Sequence, residues 1–580
     1  MNNRKKIQYG YALFTLPGVV TALLIWLNVV NIPFWDQWDI GAFILKAVSG
    51  QVTGWDLWRQ HNESRIVFPR LVFWGLARLT QWDVRYETIL TFVLACLVSW
   101  GVYRLGRATV TRDTGTVLWL ACLANLLIFS PVQSQNWLWG IEMVMLTPAA
   151  CLVAGLVVCY ADKPVAVKYL ACLVIATVAT YSYANGMVCW VLILPVLILT
   201  GTGLKNRAGI WPVVYLMGLA ANLILYFWGY QQLGHHPGLD AAWRHPIQAV
   251  TYFLAFLGAS LGANISGNSF LVSNIIGGLL LILLGMVWYE LISAQESTLW
   301  RRCAPWLALT GYALASAAAI TLGRVGFGPE QALSCRYTSF SLYLPVGLVF
   351  LVAILSPSWQ RRRLVSPGKM RVGMTMMVAG LVLLHLINNV EAVKTMGDFR
   401  SKLLRVRAGV ALMQILPHGD LTTAYPNGRF VRDMALALKQ AGLLEVPLVG
   451  TRDMESLSGA AGDATLGELS LAGPVNGPTF QAAGWAILPS RNEQADAVIL
   501  AYQTPGGRPL AFDYVVGPFK KRAGEISVAS LRPDKVGYWS GRFSSNDLPS
   551  GELQLTAWAF DALAGQVYPL KGRFGVPAQR

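Results

Sequence analysis

Two aspartates stand three positions apart in Trp35-Asp36-Gln37-Trp38-Asp39, directly after the first long apolar run of the chain, Tyr11 to Phe34. A run of that length crosses a bilayer, so both carboxylates emerge where lipid headgroups give way to water. Helix anchoring there relies on Trp, Tyr, Lys and Arg and needs no acid. A carboxylate in that place can instead take the proton from a hydroxyl as it attacks. The same stretch, 35–85, goes on to Asp56 and to His61-Asn62-Glu63-Ser64-Arg65-Ile66-Val67-Phe68-Pro69-Arg70. Three later polar stretches carry Asn136, Trp137 and Glu142; Ser182-Tyr183-Ala184-Asn185-Gly186; and Arg324 with Arg336 and Tyr337. Arginine keeps its charge and gives forked hydrogen bonds to phosphate. A base, phosphate-gripping guanidiniums and aromatic faces for a pyranose together suit inverting displacement of a sugar from a lipid phosphate. A retaining route would want a second carboxylate as nucleophile.

Each of these residues also has a plainer reading. An acid at a helix mouth is often a solvated flank or an N-cap. His61 has no second histidine beside it, which argues against a histidine metal site. Asn136 and Trp137 read equally as interface anchors, and 182–186 as a turn. Arg324 and Arg336 read equally as side chains reaching toward water from an apolar span. What favours function is that acids and arginines converge on one side of the membrane.

That convergence depends on the elements that carry them. The chain is 54% hydrophobic and 13% charged, about half the charged fraction of a soluble domain. Apolar runs recur at roughly 11–34, 86–103, 115–131, 143–161, 166–183, 187–202, 209–230, 272–292, 304–322, 340–356 and 372–390, which predicts eleven spans. The first run is too long for the core of a signal peptide, so it reads as a retained helix. Net charge is +16. In a soluble protein that would suggest nucleic acid; here the charge sits in short loops, and no nucleic-acid partner is expected. With Arg4-Lys5-Lys6 inside, strict alternation puts Arg104, Arg107 and Arg112, Lys163 and Lys168, Lys205 and Arg207, Arg301 and Arg302, and Arg361-Arg362-Arg363 all inside. This is the positive-inside pattern. Thr251 to Ile265 is apolar but short, and counting it as a span would reverse the parity, so 236–270 is expected to be external with an interfacial or re-entrant piece. Eight cysteines lie in or beside apolar segments without metal-ligand spacing.

The expected organisation is a membrane all-α polytopic bundle over 1–390, whose first external loop is 35–85. An external, mostly helical segment over 391–458 follows, and an external all-β, sandwich-like domain over 464–580. Helical periodicity marks Phe399–Leu416 and Gly428–Leu443. Asp496–Tyr502 and Leu553–Phe560 read as strands between turn-forming clusters. Gly459 to Gly467 reads as the linker.

At these residues the chain resembles the GT-C superfamily of polytopic membrane glycosyltransferases, by architecture and short motifs over about 10–390. The resemblance implies a polyprenyl-phosphate-linked sugar donor, a glycan or lipid acceptor of the cell envelope, and an active site on the external face of the cytoplasmic membrane. It matches Asp36 to the catalytic loop acid, with Asp39 as runner-up or as a partner in metal or acceptor binding. Glu142 matches a second acidic position, and Arg324 and Arg336 with Tyr337 the phosphate-binding role. Glu63, Arg65, Asn136 and Asn185 complete the expected substrate-binding set. The spaced pair Asp36 and Asp39 departs from the adjacent acids of some subfamilies. An Asp/Glu set binds divalent cations through oxygen, but the spacing leaves a metal undecided. The all-β part resembles carbohydrate-binding-like modules appended to some members. A glycolipid transporter or flippase, or a non-catalytic assembly protein, is the alternative; few charges in the middles of the spans and no transporter-type repeat speak against transport.

Overall fold

A computed structural model describes residues 3–111, 113–201, 208–231, 240–265, 267–362, 366–416, 420–459, 467–476, 478–517 and 537–576. The side chains of Arg4, Lys5 and Lys6, and all of Arg112, Lys205, Arg207, Arg363 and linker residues 460–466, lie outside them. The chain divides into two compact units. One comprises 1–29, 51–76 and 85–399; the other comprises 30–50, 77–84 and 400–580.

The first unit is a bundle of apolar helices. Among the described residues, eight candidate spans are long and apolar enough to cross a membrane: Gln8–Asn28, Arg85–Thr109, Thr114–Leu138, Gly140–Tyr160, Ser269–Ala294, Ser297–Phe327, Cys335–Arg361 and Pro367–Leu412. Val165–Thr180, Ala184–Thr200, Trp211–Phe227 and Pro246–Gly262 are shorter apolar helices. By length the spans therefore number eight, against the eleven expected, and every expected span falls on one of these helices. The first ends at Asn28, six residues before the expected Phe34. Three of the expected spans are thus too short to be counted by length alone, because polar turns cut into them.

Lipid gives helices little hydrophobic reason to associate, so close packing and polar contacts must hold them. Two glycines show how. A Cβ on Gly258 would overlap the carbonyl of Ser273, and one on Gly277 would overlap that of Leu254. The helices Pro246–Gly262 and Ser269–Ala294 are therefore in backbone contact. Polar links cross elsewhere: Asn125 Nδ2 donates to the Phe14 carbonyl at 2.8 Å, and Thr21 donates to that of Phe129.

Helix Pro246–Gly262 has both its flanks at one end of the bundle. Before it, Gln231 is tied to Gln60 by two hydrogen bonds of 2.7 and 3.0 Å. After it, the Asn264 amide donates to Asn388 Oδ1 at 2.7 Å, and Ser130 donates to neighbouring Asn389 at 2.9 Å.

At the opposite end, cations meet helix C-termini. Lys168 Nζ donates to the Cys159 carbonyl at 3.0 Å, Arg302 Nε to that of Thr109 at 2.7 Å, and Arg362 to that of Ser293 at 2.7 Å. The last carbonyls of a helix lack intrahelical partners and carry the negative end of its dipole. The basic loops supply the missing donors. All eight thiols are free.

The second unit joins a helical part to a β-sandwich. Helix Gln37–Val48 buries Trp38, Phe43 and Ile44. Helix Gly428–Gln440 packs on it, with Gly41 against Trp82 and Leu438. Arg407 braces the unit: its guanidinium donates to the carbonyls of Ala562, Asn31 and Glu445 at 2.9, 2.5 and 3.0 Å.

The strands are β1 (Gly467–Asn476), β2 (Thr479–Leu488), β3 (Glu493–Gln494), β4 (Ala497–Gln503), β5 (Leu510–Val515), β6 (Gly537–Ser544), β7 (Leu553–Asp561), β8 (Gln566–Pro569) and β9 (Phe574–Val576). One sheet runs β1-β2-β3 with β6 on β2; the other runs β5-β4-β7-β8 with β9 on β7. All pairs are antiparallel. β2 alternates buried Phe480, Ala482, Ala486 and Leu488 with more exposed neighbours, as a strand with one face in a core does. These side chains meet Val498, Leu500, Leu555 and Ala557 of the other sheet in one core. The two runs singled out in the sequence are the paired central strands β4 and β7.

Candidate functional site

The polar end of the bundle is built on Arg65. Its side chain is 1% exposed and donates to the carbonyls of Tyr226, Trp58 and Trp228 at 2.7, 2.8 and 2.5 Å. The guanidinium lies 4.9 Å from the Trp58 ring centre. Burial pushes its pKa below the ordinary value. All three nitrogens face the protein, so Arg65 braces the loop; it was expected among the substrate-binding residues. Asp56 likewise has a structural partner: it completes a capping box with Thr53 at helix Gly54–Trp58. His61 and Ser64 pair as an isolated bridge around Asn62, whose φ is 50°. This tight turn presents Glu63 at its tip. Tyr226 holds the turn by donating to the Glu63 carbonyl at 2.8 Å, and Ser64 Oγ accepts from the Ala184 amide at 3.1 Å.

Two acid–arginine pairs stand at this end. Glu63 pairs with Arg324. Glu142, 3% exposed, lies 3.5 Å from Arg336. Arg336 sits over the Trp139 ring at 5.7 Å, Arg324 over Phe327 at the same distance. The 132–142 stretch is not an open loop but a buried string of short helices, Pro131–Gln133, Ser134–Leu138 and Gly140–Glu142. From it Asn136 Nδ2 donates to the Arg336 carbonyl at 3.1 Å. Tyr337 stacks on Phe256, and Tyr183 on Phe340. Burial raises the Tyr183 pKa; Tyr337, Glu63 and Glu142 add to the rise and Arg336 opposes it. The phenol is thus within electrostatic reach of all four.

Buried polar atoms here without a hydrogen-bond partner among the described residues include Asn136 Oδ1, Asn185 Nδ2 and Arg336 Nε. Leaving such an atom unsatisfied costs about 1–3 kcal/mol. A ligand or ordered water is the usual explanation.

In the second unit Asp36 occupies the N-cap position of helix Gln37–Val48 without a side-chain cap hydrogen bond. Asp36 and Asp39 are both half-buried. Tyr425 Oη donates to the two Asp39 oxygens at 3.4 and 3.3 Å. Its pKa is pushed up to about 12, by burial first, then by the charge of Asp39, the hydrogen bond to it, and Asp36. The phenol therefore stays protonated as a donor beside two acids. Trp35, in a left-handed conformation with φ 46°, donates its amide to the Ala424 carbonyl at 2.9 Å and fixes the turn that carries Asp36.

The bundle thus brings together Glu63, Asn136, Glu142, Asn185, Arg324, Arg336 and Tyr337. Asp36 and Asp39 belong to the other unit. Sequence reasoning missed Tyr425, which lies nearly 400 residues from Asp39 along the chain and in no motif. It also missed the pairing role of Trp139, whose only sign was an aromatic three residues from Glu142. Among the described residues no group of three or more His, Cys, Asp or Glu could hold a metal ion.

No family model matches the chain, and no curated protein matches it. The solved structures to which it is similar include the oligosaccharyltransferase AglB from Archaeoglobus fulgidus, in complex with an inhibitory peptide and a dolichol-phosphate, at 12% identity and TM-score 0.39. That match covers 68% of this chain and 58% of the other, so the chain spans less than two thirds of AglB. ArnT from Cupriavidus metallidurans is similar in its apo state at 13% identity and TM-score 0.29, covering 61% of this chain and 79% of ArnT. The same enzyme bound to undecaprenyl phosphate gives 12% identity, TM-score 0.27, and coverage of 62% and 79%. Both neighbours are GT-C membrane glycosyltransferases; at these scores they are likenesses to this multi-pass chain and decide nothing about its reaction.

Proposed function

We propose that the chain is an inverting glycosyltransferase that takes a sugar from a polyprenyl-phosphate donor and places it on a cell-envelope glycan or lipid, at the external face of the cytoplasmic membrane. The observation that supports this best is the group of unsatisfied polar atoms around Arg336, at the mouth of an apolar bundle. An amphiphile with an anionic headgroup matches both halves of that environment. Glu63 pairs with Arg324 and Glu142 with Arg336, and the buried, unmatched Nε–H of Arg336 is a donor suited to a phosphate oxygen. Asn136 and Asn185 offer an acceptor and a donor to sugar hydroxyls.

Asp36 is assigned the role of base. It accepts the proton of the acceptor hydroxyl as that oxygen attacks the anomeric carbon, and the lipid phosphate departs with the bonding electrons. Asp39, held by Tyr425, is its neighbouring charge.

The test uses purified protein and a polyprenyl-phosphate-linked sugar in detergent, where translocation is not scored. Asp36→Asn is expected to fold and insert normally and to lose transfer. Wild-type turnover in that variant removes Asp36 from the mechanism. No consumption of donor by the wild-type protein, with any acceptor lipid extract, rejects the transferase reading in favour of transport or scaffolding.

A further inference from the structure

A cavity of about 550 Å³ opens in the second unit, lined by the sandwich and by Leu416 and Arg452 of the helical part. Its volume falls within the roughly 300–1,000 Å³ of small-ligand sites. One wall is aromatic: Tyr502 and Phe512 have ring centres 6.1 Å apart, and Phe543 meets Phe512 edge-on at 5.3 Å. The rest of the lining alternates in charge, with Arg452 and Arg542 against Asp513 and Asp547. None of the ion pairs among the described residues uses Arg542, Asp513 or Asp547. Arg452 is held in place by its Nε–H, which donates to the Ile415 carbonyl at 3.0 Å. Burial lifts the Asp513 pKa, opposed by the Tyr514 amide and reinforced by the Asp547 charge.

The chemistry of the lining selects among ligands. Two cations and two anions cancel, so a strongly charged ligand would meet repulsion as well as attraction. A peptide strand would add to the outer edge of β5, but the start of that edge is taken: Asp453 bridges Leu510, and the Ala511 amide donates to the Arg452 carbonyl at 2.9 Å. A polyhydroxylated ring suits all of it. Its C–H face lies on Phe512 and Tyr502, its hydroxyls donate to Asp513 and Asp547, and its oxygens accept from Arg452 and Arg542. We propose that this cleft binds a neutral saccharide unit of a glycan, independently of the transfer site.

The full-length protein in detergent is titrated with maltotriose, chitotriose and trigalacturonic acid, and binding is followed by saturation-transfer NMR and calorimetry. At least one neutral trisaccharide is expected to bind with a Kd on the order of 1 mM. Phe512→Ala and Arg542→Ala are expected to weaken it about tenfold, the loss of one stacking wall or one charged hydrogen bond. Arg542 is exposed, so its variant keeps the test valid if Phe512→Ala misfolds. No binding of either neutral sugar, equal binding by both variants, or preference for the acidic trisaccharide overturns the proposal. Because binding is read without turnover, an inactive transfer site leaves the result intact.

Discussion

The two ends of the helical bundle both carry arginines, and they use them differently. At one end Arg302 and Arg362 donate to the last carbonyls of neighbouring helices, and Arg362 also lies 3.7 Å from buried Glu290. Their charge does the work of a helix cap, which accounts for why basic loops cluster there. At the other end Arg324 and Arg336 each face a glutamate and an aromatic ring, among buried polar atoms that the protein leaves unmatched. Arg65 stands at this second end but behaves like the first, spending every nitrogen on a carbonyl. Position at one end of the bundle therefore does not set how an arginine is used; its partners do. Carbonyls take up all three nitrogens of Arg65, whereas Arg336 keeps a buried Nε–H without a hydrogen-bond partner among the described residues.

This contrast predicts a graded series. Arg336→Ala should cost about 100-fold in transfer per folded molecule, the effect of removing one donor from a developing anion, and some stability as well, because buried Glu142 loses its cation. Arg336→Lys should not restore the rate, because an ammonium lacks the fork. Turnover and unfolding measured on the same preparation check both. Arg65→Met should cost stability alone. It takes the donor from three carbonyls, that of Tyr226 among them buried, and should destabilise the protein by about 2 kcal/mol, while the rate per folded molecule changes little. A rate loss in Arg65→Met as large as that of Arg336→Ala would erase the distinction. Arg302→Ala should do least: about 1 kcal/mol of stability for one lost cap, read as a small shift in unfolding midpoint, and transfer within about twofold.

Much of the architecture was legible in the chain. Apolar runs longer than 17 residues announce membrane helices whatever their surroundings, and Asp496–Tyr502 and Leu553–Phe560 declared strands by their β-rich composition between turn residues. Boundaries were less legible. The first helix stops at Asn28 although the apolar run continues to Phe34, because Val30, Ile32 and Phe34 are buried in the second unit rather than facing lipid. Hydrophobicity does not say which apolar environment a residue enters. The polar stretch that carries Asn136, Trp137 and Glu142 falls between apolar runs in the sequence, yet it folds into buried short helices, where the side-chain amides of Gln133 and Asn136 donate to carbonyls inside the protein.

The sequence alone determined that this chain must live in a membrane, which loops carry its cations, and that acids and arginines are its chemical resources. These follow from composition and local period, which act residue by residue. Only the tertiary structure decided that Arg65 is a brace and Arg336 is not, that Tyr425 attends Asp39, and that the sandwich opens a mixed-charge aromatic cleft. Such roles depend on which atoms meet across hundreds of residues, and a side chain's hydrogen-bonding capacity becomes a function only once its partners are fixed in space.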